Sequence, residues 1–211
     1  MFCAIAVLLS CGGGGGDGGT AATTYSLSQV KNLTPGYTKT YSLTGSDSDG
    51  ASFEATITVT IKPPSTINTK SVTPVESIFN SKNITSGATD TGTTTAYYSA
   101  GYVLELLERG GGAINCTPTS YTALPDSASI GQTGTIGVIA CTDGTIETGT
   151  WRLEASGNNA KYIETYANRQ IAGDLNHTED DGYIINVNGD IFGLEITYAE
   201  PSGYSVNLSG Q

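Results

Sequence analysis

The chain has 211 residues, a net charge of −11 and only 14% charged side chains, well below the roughly 25% of ordinary soluble domains. An acidic chain of this kind has no electrostatic footprint for nucleic acid, and anionic lipid surfaces repel it. Thr, Ser, Gly and Asn fill the polar positions, and Thr with Tyr suit the pleated, half-buried face of a sheet.

Met1 to Leu9 are almost wholly apolar. The run is too short to cross a bilayer, which takes about 20 residues, and it fits the apolar region of a secretory signal. It ends in Leu8-Leu9-Ser10-Cys11, followed by a Gly-rich tract from Gly12 to Gly19 broken only by Asp17. Leu8-Leu9-Ser10-Cys11 resembles the bacterial lipoprotein box. The resemblance implies cleavage before Cys11, a thioether-linked diacylglyceryl group on its sulfur, and acylation of its amine. Several acyl chains give stable anchoring where one does not. Gly12, in place of an Asp after the Cys, leans the sorting toward the outer membrane. The resulting division is a signal peptide over 1–10, a lipidated Cys and flexible tether over 11–22, and a single β-rich domain over 23–211.

Two of the four cysteines leave this reading with their own roles: Cys3 goes with the signal and Cys11 takes the lipid. Cys116 and Cys141 remain as an even pair in an exported chain, and the compartment beyond the inner membrane oxidises thiols. A Cys116–Cys141 disulfide is the expectation. It closes a loop of about two dozen residues and contributes about 3 kcal/mol in the chain-entropy model. No His lies near either Cys, so a zinc site lacks ligands.

Strand-like patterns begin near Thr24. Residues 51–61 alternate strictly, with Ala51, Phe53, Ala55, Ile57, Val59 and Ile61 on one face and Ser, Glu and Thr on the other. Pro63-Pro64 ends the run. Setting Tyr41 opposite Ala55 and Leu43 opposite Phe53 keeps one apolar face and leaves Ser46 to Gly50 as a five-residue loop. Residues 96–109 read as a hairpin around Ala100-Gly101. Asp143-Gly144 read as a two-residue turn places Ile136 opposite Trp151 and Val138 opposite Gly149, with Trp151 and Leu153 in the core and Gly149 beside the indole. Glu164 interrupts the apolar face between Tyr162 and Tyr166, which suggests an edge strand. Asn188-Gly189 is a type I′ turn signal and sets Ile185 opposite Phe192 and Tyr183 opposite Leu194. About ten to twelve strands joined by short links give an all-β, antiparallel up-and-down meander, a curled sheet forming a barrel or sandwich.

Cys116-Thr117-Pro118, Gly131-Gln132-Thr133-Gly134, Cys141-Thr142-Asp143-Gly144-Thr145 and Gly149-Thr150-Trp151-Arg152-Leu153 are similar to a pattern in uncharacterised bacterial surface lipoproteins. That resemblance implies an exported, β-rich, disulfide-bearing domain and no assigned activity.

Candidate chemistry is sparse. Asp47 and Asp49 in Ser46-Asp47-Ser48-Asp49-Gly50 fall at two ligand positions of a calcium loop, but Gly45 and Thr56 stand where its first and last ligands belong. A solvated turn is the simpler reading. His177, the only His, sits beside Glu179, Asp180 and Asp181 in what reads as a polar loop. No Gly-x-Ser-x-Gly elbow is present. Glu105, Glu108, Glu147, Glu154, Glu164 and Glu195 are available as paired acids, although alternating Glu on strands usually marks a wet face. No cofactor is expected. The reading is a lipid-anchored outer-membrane protein whose β-domain works by binding or assembly with an envelope partner. A carrier for a small apolar ligand and an acid-based envelope hydrolase stand as the alternatives.

Overall fold

The computed structural model describes residues 22–170 and 173–211. Among these the chain forms fifteen strands and no helix. The first eight are β1 (Thr24–Ser26), β2 (Thr38–Asp47), β3 (Ser52–Ile61), β4 (Ser65–Ile67), β5 (Lys70–Asn83), β6 (Thr89–Ser99), β7 (Val103–Arg109) and β8 (Ile114–Tyr121). They are followed by β9 (Ser127–Ser129), β10 (Thr133–Cys141), β11 (Ile146–Ser156), β12 (Asn159–Arg169), β13 (Leu175–Ile185), β14 (Ile191–Ala199) and β15 (Ser205–Gly210).

All but β1, β4 and β9 belong to one wall, in which each strand pairs antiparallel with the next wall strand in the chain. β3 pairs with β5, and β15 pairs with β2, so the wall closes on itself. The fold is therefore a twelve-stranded up-and-down barrel, the meander expected from the sequence. Closure removes the free sheet edges that would otherwise template aggregation. β4 is a short flap on β5, and β1 pairs with β9 in a separate two-stranded ribbon.

Alternation decides what each face carries. Tyr41, Leu43 and Ala55 point inward and are buried, while Thr38, Thr40, Thr58 and Thr60 alternate with them on the outside. Thr40 and Thr58 share a 3.0 Å hydroxyl hydrogen bond, and Thr91 donates to Asn80 at 2.9 Å. A barrel that crosses hydrocarbon needs an apolar outer band. The outer wall of this barrel carries hydroxyls and ion pairs such as Lys161–Glu195 and Arg152–Asp180. The buried apolar residues form three separate clusters, around Trp151, Leu43 and Cys116.

Among the hairpins whose residues are all described, four use the same turn, and this corrects the expected registers. In the segments 47–51, 141–145, 186–190 and 200–204 the first residue bonds the fifth, and the fourth is a Gly at positive φ (86° to 93°) whose N–H returns to the first carbonyl. These are three-residue loops with one left-handed glycine, not two-residue type I′ turns, which would need two successive positive φ values. Tyr41 consequently pairs with Ile57 and Leu43 with Ala55, two residues from the expected partners but on the same face. Tyr183 does face Leu194, whereas a bulge sets Ile185 against Ile191 and leaves Phe192 40% exposed. Gly137, not Val138, faces Gly149, and Gly134, not Ile136, faces Trp151. Trp151 and Leu153 are in the core as expected, but the glycine beneath the indole is Gly134. Gly149 packs against Ile136 and Tyr166. The 96–109 hairpin forms, with Ser99 opposite Val103. β12 is no edge. It pairs along its length with both β11 and β13, because Glu164 has inward partners that satisfy it.

Cys116 and Cys141 are opposed in register on β8 and β10 and joined by a disulfide. The closing seam between β15 and β2 is tight. A Cβ on Gly45 would overlap the Asn207 carbonyl, and one on Gly210 would overlap that of Ser42. Gly45→Ala and Gly210→Ala are each expected to lower stability by about 1–3 kcal/mol in urea unfolding, whereas Gly92→Ala, where the added Cβ meets nothing, should be neutral. Reduction of the Cys116–Cys141 disulfide should cost about 3 kcal/mol in the same assay.

Candidate functional site in the barrel lumen

One end of the barrel is plugged by the chain's own N-terminal segment. Tyr25 and Leu27 on and after β1, with Leu124 and Ala128 from the β8–β10 connection, pack onto Trp151, Leu153, Tyr162 and Ile185. Backbone bonds from Ser26 N–H to Val187 O and from Leu27 N–H to Asp126 O fix the plug. The Lys31 ammonium pairs with Asp126 and donates to Leu124 O, and the Tyr102 hydroxyl donates to Val30 O at 3.1 Å. Burial of large apolar side chains drives this insertion. The opposite end, ringed by the loops at 48–50, 84–88, 110–113, 142–144 and 200–204, carries no such plug among the described residues.

Above the plug the lumen is lined by tyrosines and carboxylates. Tyr98 and Tyr102 stack with ring centroids 4.2 Å apart. Glu164 accepts from the Tyr162 hydroxyl at 3.0 Å and from the Tyr166 hydroxyl at 2.7 Å. Directly across from Glu164 in the β12–β13 register is Asp181, and across from Tyr166 is Glu179. Burial pushes the Tyr98, Tyr102, Tyr166 and Tyr183 hydroxyls well above the ordinary phenol range, with the nearby carboxylates adding to it. Burial likewise raises Glu164 against the lowering effect of its two tyrosine hydrogen bonds. A cavity of about 30 Å³, counted as room for the centres of water molecules, lies among Tyr98, Tyr102, Tyr121, Tyr166, Glu147 and Glu164. That is space for about two or three waters, and Leu104, Ile136 and Ile139 share the lining with the hydroxyls and carboxylates.

Nearer the open end the polar groups are paired. Arg109 Nη2 contacts both Glu147 oxygens at 2.6 Å, Asn168 donates to Glu147 Oε1 at 2.9 Å, and Asn176 donates to Asn168 Oδ1 at 2.9 Å. Glu147 is 4% exposed. The His177 ring lies 4.9 Å from Tyr198, and burial lowers its pKa.

The candidates of the sequence are distributed unevenly over this arrangement. Cys11, the signal over 1–10 and all of the tether but residue 22 lie outside the described residues. Asp47 Oδ1 is taken by the N–H groups of Asp49 and Ala51 at 3.0 and 2.8 Å, an Asx-type turn cap, and Asp49 points to solvent. Among the described residues no group of three or more His, Cys, Asp or Glu is arranged to hold a metal ion. The segment 177–182 is not a polar loop. It is the middle of β13, and its odd-numbered residues face the lumen. Of the six glutamates, Glu105 pairs with Lys70, Glu108 accepts from Tyr97, Glu154 pairs with Arg152 and Glu195 with Lys161. Glu147 and Glu164 are the two that line one cavity. Parity carried the missed signal: Glu164 shares its face with Tyr162 and Tyr166, and Asp181 shares its face with Tyr183 and Ile185.

Arg109→Ala leaves the Glu147 carboxylate buried and uncompensated, and the expected loss is about 3 kcal/mol in chemical denaturation. Adding Glu147→Gln to Arg109→Ala should recover much of it, because the second change removes the stranded charge.

No family model matches the chain, and no curated protein matches it. Among solved structures it is similar to a crystal structure described as that of a "putative lipoprotein" from Parabacteroides distasonis ATCC 8503. The two share 14% identity over 84% of this chain and 94% of that one, at a TM-score of 0.35, which carries no argument about fold or function.

Proposed function

We propose that the chain is a lipid-anchored binding protein of the bacterial envelope, acylated at Cys11 after removal of residues 1–10, with the outer membrane as its site. The observation that supports its manner of working is the plug. The chain enters the barrel at the plugged end, so a tether over 11–22 would hold that end toward the membrane. The open mouth then faces away from the bilayer, where a partner meets it.

The charge distribution favours this orientation. At the plugged end Lys31, Lys62 and Lys70 are each matched by an acid, Asp126, Glu76 and Glu105. At the open end Asp49, Asp90, Asp143 and Glu200 outnumber Lys82 and Arg169. A balanced base next to anionic lipid and an acidic rim pointing outward avoid the repulsion that the opposite orientation would bring. The rim suits a partner with basic groups, encountered faster at low ionic strength.

The lumen chemistry favours a polar over an apolar occupant. A carrier for apolar ligands needs a cavity of several hundred Å³, and the one enclosed here holds about 30 Å³ and carries Glu147 and Glu164 in its lining. A hydrolase reading would rest on Glu147 and Glu164. Each is already engaged, the first by Arg109 and Asn168 and the second by two tyrosines.

Intact mass of membrane-extracted protein should show loss of residues 1–10 and added acyl mass, and Cys11→Ala should abolish both the acyl mass and membrane retention. A photo-crosslinking side chain at Thr85, on the open rim, should trap an envelope partner in cells. The same group at Ser65, at the plugged end, should not. Unmodified full-length mass would remove the anchor, and trapping only at Ser65 would reverse the orientation.

A further inference from the structure

Glu164 on β12 and Asp181 on β13 are directly opposed on the inner face of the wall. Opposed residues of an antiparallel pair hold their Cβ atoms about 4.5–5.5 Å apart. Glu179, two residues before Asp181, shares that face. Among the described residues no Lys or Arg bonds any of the three. Arg109 is held by Glu147, and Arg152 and Lys161 face outward to Glu154, Asp180 and Glu195.

The other groups that face the pair are neutral. From β11 comes Trp151, opposite Glu164, and from β14 comes Ile196, opposite Asp181. Tyr162 and Tyr166 flank Glu164 on its own strand, and Tyr183 flanks Asp181. Tyr98 from β6, Tyr102 from the β6–β7 turn, Tyr121 from β8 and Tyr41 from β2 complete the surround. The nearest ionic groups beyond these are the Arg109–Glu147 pair, the outward Asp180, and His177 toward the open end. Two facing carboxylates in such a surround cannot both ionise without a large desolvation and repulsion cost.

We propose that the Glu164–Asp181 pair makes the lumen proton-responsive: it keeps a proton in mildly acidic conditions, and loss of that proton to water charges the interior and loosens the β12–β13 wall. The step is a simple acid dissociation, with the proton leaving to solvent and the charge left on the paired carboxylates. Burial, then Glu179 and Glu164, hold Asp181 well above the usual carboxylate range. Burial, then Glu147, raises Glu179. The direction for stability follows from linkage. The unfolded chain releases these protons near the ordinary carboxylate range, and the folded barrel releases them only at higher pH. Stability is therefore fully present below the unfolded values, falls as pH rises toward the raised folded values, and levels off above them.

The test uses the exported, disulfide-bonded full chain, with thermal midpoints measured by circular dichroism from pH 4.5 to 8 and amide hydrogen exchange followed on β12 and β13. The midpoint should fall with rising pH, with exchange on β12–β13 accelerating in parallel. Asp181→Asn should raise the midpoint at pH 8 by about 3–6 °C and flatten the profile. Asp49→Asn, which removes one exposed charge, should leave the slope in place and so separates the lumen from general surface repulsion. Infrared difference spectra should show a protonated-carboxyl band at pH 6 that Asp181→Asn diminishes. A midpoint that is flat or rises with pH, an Asp181→Asn slope equal to that of the parent, or no protonated-carboxyl band would each overturn the proposal. The anchor and the orientation of the mouth do not enter any of these readouts.

Discussion

The pairing of β15 with β2 is the constraint on which the remaining structure rests. Leu208 faces Gly45, and Gly210 faces Leu43. Without that ladder the twelve strands would be an open sheet with two long free edges and an inner face exposed to water. With it, Tyr41, Leu43, Leu194 and Leu208 become one buried cluster. The two seam glycines permit the approach, since a single Cβ at either position would meet a backbone carbonyl across the gap.

Closure also explains why a chain with so few charged residues places some of them inside. A twelve-stranded wall encloses more space than side chains fill as one apolar core, and three separate clusters result. Between them, tyrosine hydroxyls and carboxylates can satisfy one another and a small amount of water at low cost. The Glu147–Arg109–Asn168–Asn176 chain is the fully paired version of that solution. The Glu164–Asp181–Glu179 group is the incompletely neutralised version, and protons supply what basic side chains do not.

The sequence made the strands and their faces legible because the hydrophobic period of two is insensitive to small errors. Shifting the Tyr41 partner from Ala55 to Ile57 moves it by two residues and keeps the face. Turn chemistry was the weaker guide. Asp143-Gly144 and Asn188-Gly189 are compatible with both a two-residue and a three-residue loop, and the choice sets the register. The lumen was hidden for a different reason. A carboxylate on a strand usually marks the wet face, and Glu154 and Glu195 do lie there, paired with Arg152 and Lys161. Glu164 and Asp181 keep the parity of Tyr162 and Tyr183, and only ring closure shows that their shared face is interior. That Glu147 belongs beside Arg109 depends on a pairing path through β8 and β10 that local patterns do not reveal.

The position of the seam has a kinetic consequence. Neighbouring strands are joined by short turns and can pair as soon as they are made. The last ladder instead joins residue 43 to residue 210 and waits until nearly the whole chain has emerged. Until then β2 and β15 each present an unpaired edge next to apolar side chains, the state most prone to intermolecular pairing. A contact of such high sequence separation makes closure the slow event of folding. The N-terminal plug meets its partners on β9, Trp151 and Tyr162 before β15 is made, so the base of the barrel can begin to assemble while its wall is still open.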